Sequence, residues 1–245
     1  MKRFGGTALV LLILLGSPRP AGAQWVVAGY FGAAATARTY LALTQPASTT
    51  SVRLDGVDYQ GRSFNLPPYY GYRSAYFFRS PGWFGIEAEV IHMKVYTDPG
   101  QVVTANGVIN GVAFSGPISV GALLQRFSIS HGQNILFANA VVRHAFGERG
   151  DYRTARLVAA ARVGAGPTLP HVESTIADVG DERYERGAVA FQAAGGIELL
   201  VWKGLHAVAE YKFTRCRQSV DAADGAHVET LLSTHHFVFG ASWHL

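Results

Sequence analysis

The stretch HHFVFGASWHL, residues 235–245, ends the chain. From His235 the odd positions read His, Phe, Phe, Ala, Trp, Leu, and the even ones read His, Val, Gly, Ser, His. Successive side chains of a strand point to opposite faces, so this stretch has one apolar face and one small or polar face. It carries no acid or base beyond histidine. A surface strand of a water-soluble domain would hold more charge. Apolar outside and small or polar inside is the pattern of a wall strand in a barrel set in lipid, with Phe237, Phe239, Ala241 and Trp243 facing the acyl chains.

The same period-two alternation recurs in eight runs: Trp25–Thr36, Tyr69–Arg79, Trp83–Tyr96, Arg126–Phe146, Arg156–His171, Arg186–Trp202, Leu205–Arg217 and Glu229–Leu245. Each reaches the roughly 9 to 11 residues that a tilted strand needs to cross a bilayer. The joints alternate too. Short ones fall at Ser80-Pro81-Gly82, around 148–152 and at Lys203-Gly204, and long polar ones at 37–68, 97–125, 172–185 and 218–228. Short turns on one rim and long loops on the other predict an all-β fold: an eight-stranded antiparallel up-and-down transmembrane barrel in an outer membrane. A lipocalin-like soluble barrel is the alternative, with its apolar face turned inward around a ligand.

Lys2 and Arg3, the apolar run Thr7–Leu15 and the small residues Ala21-Gly22-Ala23 predict a secretory signal peptide over residues 1–23. The barrel domain is then 24–245. Losing Lys2, Arg3 and Arg19 takes the basic count from 21 to 18 against 17 acids, which removes any electrostatic case for nucleic-acid binding. Cys216 is the single cysteine, so no disulfide framework exists. Expected partners are outer-membrane lipids and the barrel-assembly machinery, and the barrel is expected to be a monomer.

Assigning the less apolar face of each strand as inward puts Arg73, Glu87, Glu89, Arg143, Arg162, Glu198, Glu210 and Lys212 in the lumen, four acids against four bases. Buried charges must pair, so a ladder of ion pairs that fills the barrel is expected rather than a pore. Polar residues also gather towards the outward strand ends. They include His92, Lys94 and Tyr96, His171 and Glu173, Arg215 and Arg217, and Glu229, His235 and His236. By parity His92 and Lys94 lie on the lipid side, at the depth of lipid phosphates. No HExxH spacing, P-loop or G-x-S-x-G elbow is present. Ser130 and His131 are neighbours whose side chains should point to opposite faces.

The strings DYQGRSFNLPPYYGYR (58–73), VIHMKVYTD (90–98), GAGPTLPHVE (164–173), AEYKF (209–213) and FVFGASWHL (237–245) together resemble the lipid A oxidase-like outer-membrane barrels known from rhizobia. The resemblance covers most of the chain from about Asp55 onward. It implies an eight-stranded barrel that oxidises the proximal glucosamine of lipid A to an aminogluconate, with molecular oxygen as co-reactant and a divalent metal as a candidate cofactor. On that basis His92, His171 and Glu173 are the expected catalytic residues, and Lys94 and Lys212 the expected phosphate-binding ones. A non-catalytic surface barrel is the competing expectation, and a lipid A acyl hydrolase a third, which would need a lipid-facing Ser–His pair.

Overall fold

The computed structural model describes residues 24–146 and 151–245; the expected signal peptide and residues 147–150 of the turn expected around 148–152 lie outside them. Eight strands form one closed wall: β1 (Gln24–Thr36), β5 (Tyr70–Phe77), β6 (Phe84–Thr97), β9 (Arg126–Phe146), β10 (Leu157–Ile176), β12 (Val189–Trp202), β13 (Leu205–Asp221) and β14 (His227–His244). Neighbours are antiparallel throughout. The wall closes where β1 meets β14, from Val26 opposite His244 to Thr36 opposite Thr234. Closure leaves no sheet edge to the membrane, which is what allows strands to cross hydrocarbon.

The quoted stretch lies on β14 as its alternation requires. Phe237, Phe239 and Trp243 are exposed, while Val238, Ser242 and His244 are buried. Trp25, Trp83, Phe146, Trp202 and Trp243 ring the short-turn rim with exposed aromatic surface, the girdle of a membrane barrel at its water interface. The lipocalin alternative is excluded by the inside. All eight charged residues assigned to the lumen are buried.

The lumen has two layers. Near mid-barrel Arg73 meets Glu210 at 2.9 Å and Glu87 at 3.8 Å, and Arg162 pairs with Glu210 and, at 3.1 Å, with Glu87. Lys212 pairs with Glu89 and lies 2.8 Å from Glu210. Neutral groups complete the network. Tyr30 Oη donates to Glu89 at 2.6 Å, and Asn139 Nδ2 donates to Glu87 at 2.8 Å. Glu198, lower down, takes bonds from Ser242 and His244, both at 2.7 Å. Above this layer the filling is apolar, with Ile91, Met93, Val95, Phe127, Ile129, Ile135 and Phe137 in one core with Leu41, Leu43 and Leu54 from the first long connection. A polar lumen throughout was expected; the outward half is a hydrophobic core instead.

The long connections are largely sheet, not loop. β2 (Thr39–Gln45), β3 (Thr50–Val57), β7 (Val102–Ile109) and β8 (Val112–Ser119) extend the wall from β14 as a four-stranded flap over the outward end. β4 (Tyr59–Gln60) pairs with β6. Residues 172–185 form the top of β10, a two-residue turn at Ala177-Asp178 and β11 (Val179–Tyr184). Most of 218–228 continues β13 and β14. Leu41 and Leu43 on β2, and Val52 and Leu54 on β3, occupy alternate positions and share one face, and burying that face on the barrel's apolar core is what orders the first connection.

Candidate site on the outer wall

β9 determines the site. Its ladders with β6 and β10 are regular except at one place. Met93 faces Gln133 and Val95 faces Ile129, while on the other side Pro170 faces Gln133 and Val172 faces Ile129. Two extra residues therefore bulge from β9 within Ser130-His131-Gly132, opposite Lys94 on one neighbour and His171 on the other. Gly132 has φ +123°, and a Cβ there would lie 2.4 Å from the His92 ring. A bulge re-aims side chains, and this one turns Ser130 and His131 to the same place.

Around the bulge lie two clusters. In the first, His131 Nδ1 is 3.0 Å from Glu173 Oε1, and His171 Nε2 is 3.3 Å from Glu182 of β11. Ser130 Oγ donates to the same Glu173 oxygen, and Arg126 pairs with its other one. The His171 ring is held edge-on by Tyr184 and His131, at 4.3 and 4.8 Å between centroids. A polar crevice of about 300 Å³ opens beside Arg126, Glu173, Asp181 and Glu182. In the second cluster His92 stacks on Tyr70 at 4.8 Å, and its Nδ1 lies 2.9 Å from Asn134 Oδ1. With that oxygen accepting, Nδ1 carries the proton and Nε2 keeps its lone pair.

Several sequence expectations change. His171 and Glu173 fall together, but their partners are His131 and Glu182, with His92 in the adjacent cluster. Ser130 and His131 do not diverge: their side chains lie 3.1 Å apart, because the bulge breaks the alternation. They are nonetheless no hydrolase dyad. Serine and carboxylate share His131 Nδ1, and the serine proton goes to Glu173, whereas a triad needs serine and acid on opposite imidazole nitrogens. Lys212 cannot reach a lipid phosphate, since its ammonium is sealed in the lumen between Glu89 and Glu210. Lys94 points outward but is covered, donating to the Asn65 carbonyl at 2.8 Å. Arg143 pairs with no carboxylate among the described residues; it binds the Gly82 carbonyl and lies between Phe77 and Tyr152, 3.6 and 3.7 Å from the ring centroids. The exposed cation at the site is Arg126, which the sequence reading passed over.

A closed eight-stranded wall, apolar outside and charged within, defines an outer-membrane β-barrel, and this one carries a polar site on its outward wall. Among solved structures it is similar to the outer membrane protein OprG from Pseudomonas aeruginosa, with a TM-score of 0.52 at 8% identity over 91% of this chain and 96% of that one. Neisserial surface protein A overlays more loosely, at 0.38 and 9% identity over 91% and 98%. So does Ail of Yersinia pestis, solved with the heparin analogue sucrose octasulfate, at 0.33 and 10% over 89% and 99%. Only the first of these bears on the fold. No protein-family model and no curated protein sequence matches the chain.

Proposed function

We propose that the chain acts on the head group of outer-leaflet lipid at this outer-wall site, with lipid A as substrate and oxidation of its proximal glucosamine as the reaction. One observation carries the reading. On three adjacent strands the polar residues begin one same-face step above the last exposed apolar residue: His92 after Val90, Asn134 before Leu136, and His171 after Leu169. The site therefore opens sideways at the top of the apolar belt, where head groups lie, and not into the lumen. The segment 61–69 beside it leaves Phe64 82% and Leu66 90% exposed, apolar side chains that lipid would cover. The strings PPYYG, HMKVY and PHVE, which carried the resemblance, converge here through Tyr70, His92 and His171.

The chemistry requires a free hemiacetal at C1 of the proximal sugar. Removing its hydroxyl proton, the C1 hydrogen and two electrons gives a lactone; oxygen takes up two protons and two electrons to become hydrogen peroxide, and water opens the lactone to the acid. In this reading Glu173 and His171 accept the hydroxyl proton, and Arg126 binds an anionic group on the sugar. The test is mass spectrometry of lipid A from a Gram-negative host whose lipid A carries a free hydroxyl at C1 of the proximal sugar, expressing the chain with and without oxygen. A gain of one oxygen on the proximal sugar under aeration is expected, falling by at least about a hundredfold in His171→Ala. Unchanged lipid A from cells with folded barrel in the outer membrane would overturn the reading.

A second reading, a non-catalytic surface barrel, is favoured by the flap of β2, β3, β7 and β8 and by the fold shared with OprG. Val102 and Val112 are exposed on its β7–β8 hairpin. Under this reading lipid A stays unchanged, and shortening that hairpin abolishes whatever surface binding the cells show.

A further inference from the structure

We infer that His131, His171, Glu173 and Glu182 form a binding site for one divalent transition-metal ion, zinc-like in preference. The four donor atoms, one per residue, all lie within 4.8 Å of one another. A four-coordinate ion with ligands at about 2.1 Å needs donors about 3.4 Å apart. The observed separations of 3.0 Å (His131–Glu173), 3.3 Å (His171–Glu182) and 4.0 Å (His131–Glu182) bracket that edge, so small side-chain rotations suffice. Two imidazoles with two carboxylates suit zinc, iron or manganese and disfavour magnesium, which prefers an all-oxygen shell.

Three further observations point the same way. The His171 side chain is buried, and its ring is fixed edge-on by Tyr184 and His131 with Nε2 turned to Glu182. Glu173 offers Oε1 to the site while Arg126 holds Oε2, the outer-shell support that ligating carboxylates receive. The backbone places the donors deliberately. The β9 bulge delivers His131, and the β10–β11 register sets Glu182 beside Glu173 and Tyr184 beside His171. Ser130 would have to turn its hydroxyl away from Glu173 on metal entry.

The inference rests on the outer-wall site being the working part of the barrel, but its test needs no turnover. Full-length barrel folded in detergent is stripped with chelator, dialysed against zinc and analysed for bound metal, with folding checked by the mobility of unheated samples on gels. Wild type should bind one zinc per chain and keep it against excess magnesium. His131→Ala and Glu182→Gln, whose parent side chains are both more than half exposed and so dispensable for folding, should each weaken binding at least about tenfold. The His227–Asp221 pair is a surface control, and His227→Ala should change nothing. Zinc well short of one equivalent, unchanged affinity in both site variants, or loss of zinc on His227→Ala would each overturn the site. Lipid A oxidation by a barrel that binds no zinc, iron or manganese removes this inference and leaves the proposed function. Tight zinc with unaltered lipid A does the reverse.

Discussion

Lys212 shows what a single buried charge does here. Its ammonium has no contact with water and is matched by Glu89 and Glu210. Removing one partner of such a group strands the other, which costs about 3–5 kcal/mol. Lys212→Met should therefore lower unfolding stability in detergent by that amount, and the double variant with Glu89→Gln should recover part of it; a single-variant loss under 1 kcal/mol, measured by urea titration, would show that the network does not hold the lumen. Gly71 is a second sensitive point. The Tyr30 ring lies over it, and a Cβ would approach the ring to 2.2 Å. Gly71→Ala must push Tyr30 off Glu89, at about 1–3 kcal/mol in the same titration. Arg143 is bound by a carbonyl and two rings, so Arg143→Met should cost less than Lys212→Met.

At the scale of elements, the turn between β10 and β11 places Ala177 at φ 48° and Asp178 at φ 64°, held by two hydrogen bonds between Asp178 and Gln125. Alanine is disfavoured in the left-handed region by about 1 kcal/mol, and asparagine is tolerated there. Ala177→Asn should slow amide exchange along β11, and faster exchange would mean that the turn does not set the register of Glu182. Gly132→Ala, by contrast, strains the bulge and strikes His92. It should leave the barrel folded by gel mobility but abolish oxygen gain on lipid A. Strand positions were legible in the sequence because alternation depends only on which residues meet lipid, and β9 runs over the residues its pattern marks, Arg126–Phe146. The bulge was not legible. Two added residues leave Phe127 and Ile129 in phase with Gln133, Ile135 and Phe137, so the period never breaks. The isolated Gly132 was the available signal. Glu182 lay in a stretch read as loop, and without the β10–β11 hairpin no spacing links it to His171.

Across the molecule, the charged middle layer and the apolar outward half leave no continuous water path among the described residues. The barrel should produce no discrete conductance steps in a planar bilayer, and steady unit currents would contradict the packing of Phe127, Phe137 and Leu54 in one core. The inside of the barrel is thus devoted to stability, and the proposed site is kept to one sector of the outer surface. This division bears on how such a site could arise. An insertion of one residue into β9 would turn every following side chain inside out, whereas two codons added at Ser130–Gly132 leave both faces of a finished barrel in place. The proposed site could thus have been spliced into an existing wall in one genetic event, and excising the same two codons should return a plain, folded barrel.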